Sequence, residues 1–176
     1  INYDDKNSRR MTPKILGLLR EQDVALVTSA GMPGVSDPGA YLVEKAREAG
    51  HDIIPIPGPS ALSAVVASSG FSGHFWFVEF LPRTRGKIVK ILKQAEDLET
   101  NLVCFESTYR LTKTLELINE IYPEVKIFMG KEMTKKFEQY LIGRAEDFLA
   151  RIKTDKDFSR GEFALVIHFG KKGKCC

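Results

Sequence analysis

Hydrophobic positions in the first half of the chain alternate between short apolar runs and longer amphipathic stretches. Asp37 and Pro38 suit the cap and first position of a helix that ends at Gly50, and small residues predict another helix over 60–69. The short runs, rich in β-branched or aromatic residues, predict strands at 24–28, 52–56 and 74–80. This β-α-β-α-β order favours a parallel sheet.

A basic segment with proline and glycine, Leu81–Gly86, interrupts this order and is predicted to be a domain boundary. Beyond it, apolar residues at helical spacing predict helices at 88–95, 111–122 and 145–152. Apolar runs predict strands at 101–106, 125–130, 138–142 and 162–169. The fold class is therefore predicted as α/β with two domains, 1–80 and 81–170, followed by a tail, 171–176, expected to be disordered.

Composition adds few constraints. The chain is 43% hydrophobic and 28% charged, with a formal net charge of +3, which suits a nucleic-acid partner without requiring one. No apolar run approaches the ~20 residues that cross a bilayer, and no basic-then-apolar leader is present. The chain begins at Ile1 rather than at a methionine, which indicates a removed segment or a fragment.

The cysteines and histidines exclude some reaction classes. They show no metal-ligand spacing, no even disulfide set and no nucleophilic triad, so we expect neither a metal site nor disulfides. This cysteine usage favours a reducing cytoplasm. The residues are Cys104, Cys175, Cys176, His51, His74 and His168.

Two loops, 29–39 and 57–61, are the candidate ligand-binding loops, because each follows a predicted strand and precedes a predicted helix. Gly31 and Gly34 would let a ligand approach the first loop's backbone closely. Amides at the helix starts can hold a carboxylate or a phosphate. Neither loop carries the P-loop or dinucleotide glycine motif, and turns of this composition also occur for purely structural reasons.

Six short segments, in this order along the chain, resemble the tetrapyrrole methylase superfamily. Within it, they look like the bacterial small-subunit ribosomal RNA (cytidine) 2′-O-ribose methyltransferases. The segments are 27–39, 55–61, 80–83, 105–110, 131–135 and 161–163. The chain departs from the family's usual residues at Ser29, where aspartate is common, at Met32, where threonine is common, and at 107–109, where Ala-Pro-His is common. The family's first strand and its following loop and helix would precede Ile1.

The resemblance implies S-adenosylmethionine as the cofactor, bound in a cleft between two α/β domains. It also implies ribosomal RNA, or the small ribosomal subunit, as the partner, and a homodimer. Carried over by motif, the cofactor contacts are Ser29, Ala30, Gly31, Gly34, Ser60, Ala61, Glu106 and Met133.

A ribose hydroxyl must lose its proton when it accepts a methyl group, and a nearby carboxylate or an amine of lowered pKa can assist. Glu106, Glu132 and Lys135 are candidates, with Arg110 as an orienting partner, and no spacing rule selects among them. Cations at the predicted boundary are candidates for binding phosphate groups of RNA, namely Arg83, Arg85 and Lys87.

Two alternatives to the RNA reading stay open. A methyltransferase of a porphyrin or corrin precursor would also suit a basic cleft, since such substrates carry carboxylates. A binding domain without catalysis would explain the departure at Ser29. The aromatic residues at 75–77 are predicted to belong to the strand core rather than to a base-stacking surface.

Overall fold

The computed structural model describes residues 1–170, so the predicted tail at 171–176 lies outside the described residues. The described residues form two compact units, Ile1–Ser60 and Ala61 onward. The predicted boundary at Leu81–Gly86 falls inside the second unit, because strand β1 (Phe75–Phe80) pairs there with strand β2 (Asn101–Ser107). Among the described residues, no helix has both the length and the apolar character to cross a membrane.

The first unit contains two helices that pack together, α1 (Ser8–Leu18) and α2 (Ala40–Glu48). Helix α1 was not predicted, since its buried side chains are only Thr12 and Ile15 and give no clear apolar stripe. Helix α2 begins after Gly39, two residues later than Asp37 and Pro38 indicate, because the Gly39 carbonyl accepts the first helical bond, from the Val43 amide, at 3.0 Å.

The end of α2 follows the prediction. Gly50 has a φ of +84°, a conformation that favours glycine. The amides of Gly50 and His51 donate to the carbonyls of Arg47 and Ala46, both at 3.0 Å. These two bonds close the helix as a Schellman motif does.

The predicted strands at 24–28 and 52–56 do not form. Both segments lack regular secondary structure, and Val27, Ile54 and Ile56 are about four-fifths exposed. A strand needs a neighbour to complete its hydrogen-bond ladder, and within residues 1–170 these segments have none. Of the strands predicted for the first half, only 74–80 enters a sheet, as β1.

The second unit is a five-stranded sheet with helices on both faces, in the order β1-β2-β5-β3-β4. Strand β1 runs parallel to β2, and the other neighbours are antiparallel. The remaining elements are α3 (Ala61–Ser69), α4 (Arg85–Asp97), α5 (Leu111–Ile121), β3 (Lys126–Lys131), β4 (Gln139–Gly143), α6 (Ala145–Thr154) and β5 (Glu162–His168).

The side chains of the strands alternate between two cores, one on each face of the sheet. In β2, Leu102 and Cys104 belong to the larger core, with helices α4, α5 and α6, while Val103 belongs to the smaller core around Val65 of α3. Burial raises the pKa of the Cys104 thiol, so it stays protonated. Trp76 packs on the larger core and Phe77 on the smaller one, as predicted for the aromatic strand, whereas Phe75 at the start of β1 is exposed.

One edge of the sheet collects four of the six segments that carry the family resemblance. Strands β1, β2 and β3 end there, and β4 and β5 begin there, since Ser107 lies opposite Glu162 and Lys131 lies opposite Phe163. We call this the motif edge; it comprises 80–83, 105–110, 131–135 and 161–163.

Candidate functional site

Thr108 joins two segments of the motif edge. Its hydroxyl donates to the Gly161 carbonyl at 2.7 Å and accepts from the Gly161 amide at 2.8 Å. Gly161 has a φ of +114°, which L side chains rarely adopt. The turn after β2 is therefore fixed against the start of β5.

Glu106, at the end of β2, is a buried carboxylate with partners on all sides. Its side chain is 0% exposed, and it accepts from the Thr114 hydroxyl at 2.7 Å and from the Ser107 amide at 2.9 Å. The Arg110 Nε atom lies 3.4 Å from its Oε1 atom. A carboxylate held in this way in the interior is suited to positioning Arg110, rather than to reaching a substrate.

Arg110 links β2 to the segment after β1. Its Nη2 group donates to the carbonyls of Leu81 and Pro82, at 2.6 and 3.0 Å. The structure thus brings together the predicted site residues Glu106 and Arg110 and uses them to hold the 80–83 segment.

Lys135 and Glu132 form an ionic cluster with Glu162 at the motif edge. The Lys135 Nζ atom lies 3.1 Å from Glu132 Oε1 and 2.9 Å from Glu162 Oε2, and the Glu162 amide donates to Glu132 Oε1 at 2.8 Å. The hydrogen bond to Glu162 raises the pKa of Lys135, and the bond from the Glu162 amide lowers the pKa of Glu132. Lys135 is therefore an ammonium, which does not fit a general base that needs a lowered pKa.

Met133 folds back over β3. A Cβ atom placed on Gly130 would lie 2.4 Å from the Met133 sulfur, so the absence of a side chain at 130 makes room for this conformation. Met133 is half-buried and packs on the smaller core. Its packing gives it a structural role, and its predicted contact with the cofactor stays a prediction.

The predicted RNA-binding cations differ in their surroundings. Arg85 donates two bonds to the Glu120 carboxylate, at 2.8 and 2.6 Å. Arg83 and Lys87 are exposed and form no ion pair within the described part of the chain. Arg83 and Lys87 are thus available to an anionic ligand, while Arg85 would first have to leave Glu120.

The first candidate loop lies in the first unit, where Gly31 and Gly34 both have a φ of +77°. A Cβ atom on Gly31 would lie 3.8 Å from the Pro59 carbonyl oxygen, so the two candidate loops come close together at this point. Within residues 1–170, the amides of Ser29, Ala30 and Gly31 donate no hydrogen bond.

Ser36 adds a polar group to the same loop, since its hydroxyl is buried and has no hydrogen-bond partner in the described structure. Buried polar atoms are ordinarily paired, and a ligand can supply the missing partner. The loop therefore offers main-chain donors and one orphaned hydroxyl to a ligand with carboxylate or hydroxyl groups.

The predicted cofactor contacts divide between the two units. Ser29, Ala30, Gly31, Gly34 and Ser60 belong to the first, whereas Ala61, Glu106 and Met133 belong to the second. Residues 1–170 contain no group of three or more His, Cys, Asp or Glu side chains that could hold a metal ion.

Sequence reasoning missed Thr114 and the pairing of Thr108 with Gly161. Thr114 had a readable signal, because it lies on the apolar face of α5, between Leu111 and Leu115, where a hydroxyl needs a buried partner. The Thr108–Gly161 pair had none, since the partners are 53 residues apart.

The chain matches known proteins along most of its length. The family model described as Tetrapyrrole (Corrin/Porphyrin) Methylases matches residues 4–149. "Ribosomal RNA small subunit methyltransferase I" of Thermotoga maritima is 38% identical over 95% of this chain and 75% of its own length. The protein of the same name from Neisseria meningitidis serogroup B is 35% identical over 96% of this chain, which spans 58% of that relative.

A solved structure shares the fold. Uroporphyrin-III C-methyl transferase from Thermus thermophilus, complexed with S-adenyl homocysteine, superposes with a TM-score of 0.58 at 15% identity, over 96% of this chain and 75% of the other. The family model and the Thermotoga relative settle the membership: the chain belongs to the tetrapyrrole (corrin/porphyrin) methylase family, which is a family of methyltransferases.

Proposed function

We propose that the full-length protein transfers a methyl group from S-adenosylmethionine to a ribose 2′-hydroxyl of small-subunit ribosomal RNA. The observation that carries the proposal is the identity of 34–38% to relatives named as small-subunit ribosomal RNA methyltransferases, over 95–97% of this chain. The ribose hydroxyl follows from the segments that resemble the 2′-O-methyltransferase branch. Because the proposed substrate is ribosomal RNA, we also propose a cytoplasmic location.

We propose that the predicted cofactor contacts bind S-adenosylmethionine. In the first unit, the free amides of Ser29, Ala30 and Gly31 and the orphaned Ser36 hydroxyl suit the carboxylate and hydroxyl groups of S-adenosylmethionine. The other proposed contacts are Gly34, Ser60, Ala61 and Met133, whereas Glu106, also carried over by motif, is buried and acts through Arg110. When bound, S-adenosylmethionine supplies a methyl group already activated on a positively charged sulfur, so the protein's task is mainly alignment.

Lys135 is the proposed group that faces the substrate at the motif edge. Its ammonium would stabilise negative charge on an acceptor oxygen after leaving Glu132 or Glu162, whereas Glu106 is too deeply buried to reach such an oxygen. Glu106 and Arg110 contribute instead by holding the 80–83 segment in place. We propose that Arg83, with Lys87 nearby in α4, binds RNA phosphates.

We also propose that the protein is a homodimer. Strand β1 is one of the two edge strands of the sheet, and Phe75 and Phe80 at its two ends are 36% and 50% exposed. An unpaired edge strand can pair with another chain, and exposed aromatic side chains favour such contacts. Sedimentation of the full-length protein at micromolar concentration should give the dimer mass, and a monomer would refute the proposal.

The proposed activity is tested by offering the full-length protein labelled S-adenosylmethionine together with either small ribosomal subunits or uroporphyrinogen. We expect label in the RNA, on a ribose resistant to alkaline cleavage, and none in the porphyrin. Label in the porphyrin alone would establish the tetrapyrrole alternative, which the family description itself suggests. No transfer and no cofactor binding would leave a non-catalytic binding domain.

The cofactor site is tested separately with Gly31. Gly31→Trp should abolish cofactor binding, because a bulky side chain would block the approach to the loop amides. Gly17→Ala is the matched control, since Gly17 lies in α1 with no atom near a would-be Cβ. If calorimetry shows that Gly31→Trp binds S-adenosylmethionine as tightly as the wild type, this loop is not part of the cofactor site.

A further inference from the structure

Tyr109 is an aromatic side chain that the fold leaves in water. It is 92% exposed, the highest value among the exposed large apolar and aromatic side chains of residues 1–170, and it makes no hydrogen bond, ring contact or ion pair in the described structure. Large exposed aromatic rings that pack on nothing often mark a binding surface. Nothing in the fold of the second unit itself requires an aromatic residue at this position.

The residues on either side of Tyr109 are fixed. Thr108 bonds to both the carbonyl and the amide of Gly161, and Arg110 holds the carbonyls of Leu81 and Pro82. The turn itself is closed by the Arg110 amide, which donates to the Ser107 carbonyl at 3.0 Å. A ring presented from a fixed turn loses less conformational freedom when a ligand packs on it.

Two exposed cations lie in segments that adjoin this turn. Arg110 contacts the Pro82 carbonyl, which places the next residue, the exposed and unpaired Arg83, in the neighbouring segment of the motif edge. Lys113 is exposed in the first turn of α5, four residues after Tyr109. An exposed aromatic ring with nearby free cations is the arrangement by which proteins bind unpaired RNA bases and their phosphates.

We propose that Tyr109 is a base-stacking residue for the RNA substrate. This proposal rests on the proposed function. The Tyr109 ring would stack on an unpaired base near the methylated ribose. Phosphates flanking that base would lie against Arg83 and Lys113. The ring, not the hydroxyl, provides the contact, because stacking uses the aromatic face.

The test compares full-length Tyr109→Ala and Tyr109→Phe with the wild type. Methyl transfer to small ribosomal subunits gives KM and kcat, filter binding gives the Kd for the RNA, and calorimetry gives the Kd for S-adenosylmethionine. Tyr109→Ala should raise the KM and Kd for RNA by about 5- to 150-fold, the range for one lost base stack. Tyr109→Phe should stay near the wild type, and cofactor affinity and melting temperature should not change.

Leu98→Ala is the control for removal of an exposed apolar side chain. Leu98 is 67% exposed and precedes the first residue of β2, whereas Tyr109 follows its last, so Leu98 lies at the opposite end of that strand. Leu98→Ala should leave RNA binding unchanged.

The outcomes separate this inference from the proposed function. If the wild type methylates RNA and Tyr109→Ala keeps its KM and Kd, the stacking role is wrong and the function stands. If Tyr109→Phe is as weak as Tyr109→Ala, the hydroxyl makes the contact and the stacking role is also wrong. A wild type that neither methylates nor binds the RNA would overturn both.

Discussion

Gly161 holds the motif edge together, and replacing it with alanine should destabilise the protein in a specific way. Its φ of +114° strains any L side chain, and a Cβ atom there would lie 2.8 Å from Glu132 Cγ and 2.9 Å from Glu132 Oε1. Glu132 must therefore move, and its bond from the Glu162 amide, 2.8 Å long, must lengthen or break.

The size of the effect follows from two contributions. A residue held in a sparsely populated backbone region costs about 1–3 kcal/mol. A lost hydrogen bond to a charged group costs about 1.5–3 kcal/mol, and the exposed ion pair with Lys135 adds little. Together they give a loss of about 2.5–6 kcal/mol, which lowers the melting temperature of a chain of this size by roughly 5–24 °C.

Thermal and urea unfolding of Gly161→Ala and the wild type measure this loss. Gly86→Ala is the matched control, because Gly86 lies in α4, has no atom within 4 Å of a would-be Cβ and should be neutral or stabilising. Because the pKa of Glu132 is lowered in the fold, its carboxylate adds to the free energy of unfolding at pH values above the ordinary pKa of 4.5. This stabilisation is lost as the pH falls through the folded pKa. The difference in melting temperature between Gly161→Ala and the wild type should therefore become smaller in acid. Equal melting temperatures at neutral pH would refute the reasoning.

Other perturbations have smaller or differently directed effects. Gly31→Ala should lower the free energy of unfolding by about 1–2 kcal/mol, because its φ of +77° is unfavourable for alanine. The new Cβ atom would contact only the Pro59 carbonyl, at 3.8 Å. A much larger loss in urea unfolding would mean that the loop is packed more tightly. Thr114→Val removes the 2.7 Å bond to the buried Glu106 carboxylate and should cost about 1.5–3 kcal/mol, so unchanged urea unfolding would show that Glu106 does not depend on this bond. Burial, with a smaller effect of a nearby lysine, lowers the pKa of His168, so the free energy of unfolding should fall as the pH is lowered through its ordinary value of 6.5; an NMR titration giving a His168 pKa at or above 6.5 would contradict this.

Local signals were enough to predict most elements of the second unit. The helices at 111–122 and 145–152 and the strands at 101–106 and 162–169 appear in the structure within a few residues of their predicted ends. These elements are predictable from the sequence because helical periodicity and short apolar runs depend on neighbours close in sequence. The closure of α2 at Gly50 was readable for the same reason, since only a few consecutive residues form that cap.

The failures concern features that depend on distant partners. The runs at 24–28 and 52–56 have the composition of strands, yet a strand exists only when another strand completes its hydrogen bonds, and no described residue does so. The parallel sheet predicted for the first half therefore does not form, and only β1 enters a sheet, in the second unit.

The candidate site divides in the same way. The sequence predicted the motif segments and a 29–39 loop that would bind a ligand through its main chain. Glycine, proline and short motifs are signals that depend only on neighbouring residues. The sequence did not determine that Thr108 would bond to Gly161, that Arg110 would hold the segment after β1, or that Tyr109 would be left outside. Those contacts depend on which strands lie side by side, and the sheet order β1-β2-β5-β3-β4 is a property of the packed chain, since pairing residues far apart in sequence is decided only when the whole core forms.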